Sequence, residues 1–309
     1  MKQYFTDTAH LSAAEERVYT WQKFSGGIAL SVKYAIMGDT KRRWMFMLID
    51  FHTHAFPPEI AERALRKLSY DVGGVVPRTE GTLESLKAQM DEDGVDLSVV
   101  LAIATNPKQM HKVNDYAFRM NQDERIIAFG SVHPEAPDAL EELERIKGAG
   151  LKGVKLHPEF QGFYADDERL RPIYRKISEL GLITLFHAGE DYGYAPPYHA
   201  MPEHLLRALR WFDSPVVAAH WGGIGCGTEV LNKLCGEHIF FDLSYGYGAM
   251  PKPTAQAILD RHGTDKLLFG SDSPWHRPAW EMRLLDSLEL TGEDRERILW
   301  KNAKALLGI

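Results

Sequence analysis

The 309-residue chain carries a formal net charge of -7, with 44% hydrophobic and 26% charged residues, the balance of an ordinary globular protein. That charge argues against nucleic acid or an anionic membrane as partner, and no strongly basic stretch offsets it. Two cysteines, Cys226 and Cys235, lack metal-motif spacing and cannot form a disulfide framework, so a cytoplasmic location is expected. No apolar run reaches the roughly 18 residues of a membrane span. The best, Gly26 to Met37, is broken by Lys33, and no small-residue cleavage site follows it.

Residues 1–46 are polar and mixed, and read as an N-terminal extension of unclear order, with Lys41-Arg42-Arg43 a solvated charge run. Residues 47–309 are expected to form the catalytic domain. A first strand is predicted at 46–51, then helices at 57–69 and 80–92, the second with Leu83, Leu86 and Met90 on one face. Strands follow at 96–104, 126–132, 153–156, 182–186, 215–219, 238–243 and 266–270, each succeeded by a helical pattern. Thr291 and Asp294 stand at capping-box spacing ahead of the last helix. Several strands are unbroken Val/Ile/Leu runs, as a parallel sheet covered on both faces requires. Eight β-then-α units predict a (β/α)8 TIM barrel, and no Gly-x-Gly-x-x-Gly follows the first strand to suggest a dinucleotide fold.

The chemistry lies where the strands end. In an extended strand His52 and His54 share a face and Thr53 points away, so two imidazoles stand side by side as half of a metal site. Lys155 and His157 close strand 4, His187 strand 5, His220 strand 6 and Asp272 strand 8. A parallel barrel gathers all these ends around one mouth, the place where such folds put their active sites. Singly each has a plainer explanation: a histidine bonded to a carbonyl, Asp272 opening a turn, or Lys155 paired with Glu159 at the rim. Jointly they point to a site. His10, His111, His199, His204, His238 and His262 have no such placement and read as surface or structural.

This arrangement resembles the amidohydrolase superfamily of metal-dependent barrels. The segments Gly-Val-Lys-Leu-His-Pro, Phe-His-Ala-Gly, Ala-His-Trp-Gly-Gly, Gly-Ser-Asp-Ser-Pro and the closing Asn302-Ala303-Lys304-Ala305-Leu306-Leu307 are similar to its amidohydrolase-related branch, which includes aminocarboxymuconate-semialdehyde decarboxylase. The resemblance covers about residues 47–309 and leaves the first 46 unexplained. It implies that His52, His54, His187 and Asp272 hold a divalent metal, zinc by preference with manganese as the alternative. It also implies that His220 is an acid/base in one-metal members and a ligand in two-metal members, and that Lys155 matches a bridging position used by some two-metal members. One ion is favoured and two remain open, with Lys155, His157 and His220 the residues toward a second ion or the substrate.

Three imidazoles and a carboxylate leave a coordination position open, the mark of a catalytic site. Hydrolysis of a small amide, lactone or ester by a metal-activated water is placed first, with Asp272 and His220 moving protons. Decarboxylation of an aromatic or unsaturated acid comes second, and a metal-binding barrel without chemistry third. The expected partner is a small-molecule substrate, with a homodimer left open. The loops 69–80, 157–166, 189–201 and 244–253 are expected to select the substrate, the aromatic-rich 191–199 stretch as a lid. Met45 or Met47 stands directly before the first strand, so the functional domain is expected to begin there, the stretch before it being an appendage or the result of an upstream translation start. Intact-mass spectrometry of natively expressed protein tests the start site, and a mass for all 309 residues would overturn it.

Overall fold

Residues 47–309 of the computed structural model wrap a ring of parallel strands. These are β1 (Ile49–Thr53), β2 (Leu97–Leu101), β3 (Ile126–Phe129), β4 (Gly153–Leu156), β5 (Ile183–Phe186), β6 (Val216–Ala218), β7 (Phe240–Asp242) and β8 (Leu267–Leu268). The ladder runs β1-β2-β3 and β4-β5-β6-β7-β8. Backbone bonds join the two arcs: Gly130 N donates to Gly153 O at 3.0 Å, and Phe51 N to Phe269 O at 2.8 Å. The predicted TIM barrel is therefore present. The structure describes residues 17–24, 27–34, 47–71 and 74–309, so His10, the 41–43 charge run, Met45 and residues 72–73 of the 69–80 loop lie outside the described residues.

Contacts divide the chain into two units, Met1–Phe46 and Met47–Ile309. In the first, Arg17–Phe24 and Gly27–Tyr34 form an antiparallel pair, from Arg17 opposite Tyr34 to Phe24 opposite Gly27. That ladder differs from the aperiodic reading of this stretch. Val18, Tyr19, Thr20 and Trp21 favour extended backbone even though the stretch shows no sustained period. Among the described residues no helix is long and apolar enough to cross a membrane.

The barrel interior is a packed core. Ile49, Phe51, Val99, Leu101, Phe129, Ile183, Leu185, Val217 and Leu268 fill it, with Ala303 and Leu307 of the last helix (Asn302–Leu307) in the same cluster. Alternate residues such as Val100, Ala128, Val154, Phe186 and Ala218 belong to the larger cluster shared with the surrounding helices, which explains the unbroken apolar runs. Gly153 makes room inside the ring, because a Cβ there would lie 2.5 Å from the Phe129 ring. The strands are shorter than the apolar runs that predicted them: β2 stops at Leu101 and β3 at Phe129, with only an isolated bridge from Gly130 to Val154 beyond. Both capping devices behave as local chemistry dictates. Thr291 and Asp294 form the expected box, and Thr82 with Ser85 caps the helix Leu83–Asp93.

The histidines set aside as structural have ordinary work. His111 bonds Asp138 and Glu142, His204 bonds Asp166, and His238 is exposed. His262 is buried, stacks on Phe241 at 4.0 Å, donates to Ile239 O and accepts from Gly236 N. Burial holds its pKa down at about 4. Because the folded value lies below the unfolded 6.5, the stability it contributes is complete above pH 6.5 and is lost as the pH falls toward 4. Urea melts of wild type and His262→Gln at pH 7 and 4.5 are expected to show the wild-type advantage shrinking by roughly 2–3 kcal/mol. A constant gap would remove His262 from the acid sensitivity.

Candidate metal-dependent active site

β1 begins the site. Strict alternation would put Phe51 and His52 on opposite faces, yet Phe51 packs edge-on to Phe129 inside the ring and His52 opens on the mouth cavity. The register with β2 slips between Asp50 and Thr53, and this irregularity lets His52, with His54 on its own face, open on the cavity on the same side as Phe51, the imidazole centroids 5.2 Å apart. Thr53 turns away as expected, donating to Val99 O. Asp50 fastens the neighbouring edge: its carboxylate accepts from Ser271 N at 2.9 Å and Ser271 Oγ at 2.6 Å. Burial raises the Asp50 pKa to about 7 against the lowering effect of those bonds.

Among the described residues, four other than glycine have positive φ: His220 (57°), Trp221 (62°), Tyr245 (56°) and Asp272 (69°). All lie within a few residues beyond the ends of barrel strands, and His220, Tyr245 and Asp272 line the mouth cavity. For Trp and Tyr this backbone is costly, by about 1–3 kcal/mol each, and it persists only where the surroundings impose it. Glu281 supplies part of that imposition beyond β7. It is buried and accepts from Gly246 N and Tyr247 N, and it bonds His276, which stacks on Tyr245 at 4.5 Å.

The imidazoles are oriented through their Nδ1 atoms. His52 Nδ1 donates to Asp242 Oδ2 at 2.8 Å, and His54 Nδ1 to Leu101 O at 2.9 Å. Ser244 Oγ donates to Asp242 Oδ1, so it accepts from His220 Nδ1 at 2.9 Å. His220 Nε2 then faces His187 Nδ1 at 3.2 Å, and His187 Nε2 is left buried without a partner. Each Nδ1–H is thus committed, that of His187 to His220, and the Nε2 lone pairs of His52, His54 and His187 remain. Asp272 Oδ1 lies 3.5 Å from His52 Nε2 and 3.3 Å from His54 Nε2. Burial, reinforced by neighbouring positive groups, pushes the pKa values of His52, His157 and His220 well below the usual histidine value, and that of His187 to about 3. Neutral imidazole is the form that binds a metal. A donor set of neutral imidazoles plus a carboxylate, one of them carrying an orphaned buried nitrogen, fits a borderline divalent ion.

The structure brings the expected residues together unequally. His52, His54 and Asp272 offer ligand atoms within 4.8 Å of one another. His187 falls instead in a second such group with His157 and Asp191, while His52, His220 and Asp242 make a third. His157 is buried and stacked between Phe160 at 3.8 Å and His187 at 4.3 Å, so it holds the His187 ring plane. Lys155 is also buried, with Nζ 3.5 Å from His52 Nε2, and burial lowers its pKa to about 8. It does not pair with Glu159, whose Oε1 accepts from His199 N. His52, His54, Lys155, His157, His187, His220 and Asp272 open on one cavity of about 990 Å³ with Phe56, Phe160, Tyr194, Tyr245 and Trp275 in its walls.

Sequence reading missed Asp242, Ser244, Asp50 and Glu281. Asp242 had a signal: an acidic residue ending the apolar run Ile239-Phe240-Phe241, at a strand's C-terminal end like the others. It was passed over because it is no ligand of the expected set.

The comparisons fit this geometry. The amidohydrolase family model (Amidohydro_2) matches residues 49–309. The chain belongs to the amidohydrolase family. No curated protein matches the sequence. Among solved structures, a 2,6-dihydroxybenzoate decarboxylase complexed with 2,6-dihydroxybenzoate aligns with TM-score 0.67 at 17% identity, covering 86% of this chain and 100% of that one. The 5-carboxyvanillate decarboxylase of Sphingomonas paucimobilis aligns with TM-score 0.66 at 17% identity, over 85% and 99%. A dihydroxybenzoic acid decarboxylase from Polaromonas sp. JS666, with bound manganese and the inhibitor 2-nitroresorcinol, gives 0.64 at 16% identity, over 85% and 97%. At such identities the likeness concerns the fold.

Because Asp242 sets the His52 tautomer, Asp242→Asn is expected to weaken binding of zinc or manganese about 10–100-fold in chelator-competition titrations. Unchanged metal affinity would deny Asp242 that role.

Proposed function

We propose that this amidohydrolase-family chain is a metal-dependent decarboxylase of an aromatic or unsaturated carboxylic acid. The observation that carries the reading is the meeting of a buried polar pole (Asp272, Lys155 and the inward Nε2 atoms) with a chamber walled by aromatic side chains. A planar acid matches both halves, its carboxylate toward Lys155 and its ring against Phe160, Tyr245 or Trp275. This reverses the order reached from motifs alone, which put hydrolysis first. Neighbours of the same fold named as decarboxylases support the reversal.

His52, His54, His187 and Asp272 would hold the ion, with the orphaned His187 Nε2 as fourth donor. The donor set suits zinc, and the manganese in the Polaromonas protein makes that ion the alternative. When bound, the ion supplies Lewis-acid polarisation and a fixed point for a substrate oxygen. One ion is the simpler reading, since His220 Nε2 faces His187 rather than open space.

In the reaction itself, Asp272 relays a proton to the ring carbon bearing the carboxylate. A C–H bond forms and the C–C bond breaks, its electron pair staying with the ring, and carbon dioxide leaves. The sum is carboxylate plus proton giving the decarboxylated product and carbon dioxide, with no oxidant or reductant. His220, fixed by Ser244 and beside His187, returns a proton to the site from solvent. The buried Lys155 ammonium neutralises the carboxylate while the substrate binds.

Zinc- and manganese-loaded protein assayed against hydroxylated benzoates, lactones and amides, with gas and acid release followed separately, tests the reading. Carbon dioxide from a benzoate is expected, falling by at least about 100-fold in Asp272→Asn or after chelation. Acid release without gas would return the assignment to hydrolysis.

A further inference from the structure

The cavity does not end at the polar pole. It runs on between the helices Pro58–Asp71 and Met110–Met120, each of which gives it one stripe of side chains at helical spacing. Ile60, Arg63, Ala64, Lys67 and Leu68 recur at i, i+3, i+4, i+7 and i+8 on the first. Lys112, Val113, Tyr116 and Met120 recur at i, i+1, i+4 and i+8 along the second, with Gln109 just ahead of it. The first stripe extends about 12 Å at 1.5 Å per residue.

The charge in this arm has one sign. Arg63, Lys67 and Lys112 line it, whereas the acidic lining residues Glu190, Asp191 and Asp272 belong to the pole and its adjoining loop. Glu59 and Glu84, whose charges reach Tyr116, do not line the cavity. Among the described residues, neither Arg63 nor Lys112 has an ion-pair partner, whereas Arg66 holds Glu62, Arg125 holds Asp91, and Arg145 holds Asp115 and Glu142. Between the cations the walls are mainly apolar, with Ile60, Ala64, Leu68, Val113 and Met120 beside the Tyr116 ring. At about 990 Å³ the whole cavity sits at the upper end of the 300–1,000 Å³ range of ligand pockets, more than a single-ring acid fills.

We propose that this arm is a specificity subsite for a second anionic group, and that the natural substrate is an elongated diacid whose far end is a carboxylate or a phosphate. One anion is received at the pole, an apolar or aromatic body spans the groove, and Arg63 and Lys112 receive the distal anion. The proposal rests on the decarboxylase reading for the near carboxylate only, and the groove residues take no part in the bond-breaking step.

The test uses the full metal-loaded protein and three rigid probes of matching length: biphenyl-4-carboxylate, biphenyl-4,4′-dicarboxylate and 4′-phosphonobiphenyl-4-carboxylate. Titration calorimetry of wild type and the Arg63→Gln/Lys112→Gln double variant is run at low and high salt, with the metal present and stripped. A doubly anionic probe is expected to bind about fivefold more tightly than the monoacid, with the preference erased in the variant and reduced by salt. A tighter phosphonate assigns the arm to a phosphate, a tighter dicarboxylate to a dicarboxylic substrate. Equal affinities of wild type for all three probes, or a preference that survives in the variant, would overturn the subsite. Metal dependence separates the two readings: a preference that persists in stripped protein keeps the subsite and removes the metal-dependent reading of the pole. Metal-dependent monoacid binding with no preference does the reverse.

Discussion

Several imidazoles, an ammonium and two carboxylates share one buried corner of this barrel, and they can coexist only if most of the imidazoles stay neutral. Desolvation enforces that neutrality, and Asp242 organises it. Its two oxygens take the Nδ1–H of His52 directly and the Ser244 hydroxyl, through which His220 is oriented in turn. A carboxylate that coordinates nothing in the expected set thereby decides which nitrogen of two histidines faces the cavity. Leaving a buried donor unmatched costs about 1–3 kcal/mol, so the cluster is held as one network rather than as independent contacts.

The scaffold bears the strain this requires. Inside the ring, apolar layers and Gly153 allow dense packing around Phe129. At the mouth, the backbone accepts left-handed conformations at His220, Trp221, Tyr245 and Asp272. The division of labour is that of a barrel, with stability below and chemistry above. Glu281 shows how the two meet, since its buried carboxylate spends its bonds on the loop that carries Tyr245.

Much of this was legible in the residues. The strand–helix alternation announced the barrel, because buried parallel strands need unbroken apolar runs and helices must cover them. The same logic located His52, His54, His187, His220 and Asp272 at one mouth, since polar residues closing apolar runs stand at strand ends. Other features were hidden for physical reasons. The slip in β1 leaves no mark in a pattern of apolar and polar letters, so Phe51 and His52 could not be seen to share the inner side. Asp242 and Asp50 look like any acidic residues until burial shows that each must be satisfied by partners about 190 and 221 positions away. The grouping of His187 with His157 comes from ring stacking, which sequence spacing does not encode.

The edge where β1 meets β8 joins the start of the barrel to its end. Asp50 holds Ser271, and Asp272 N donates to His52 O at 2.8 Å, so the candidate ligands His52 and Asp272 face each other across the seam between the first strand and the last. Neither half of the barrel owns the centre alone. An ion binding there would act as a clasp on the closed ring, drawing folding and loading into one equilibrium.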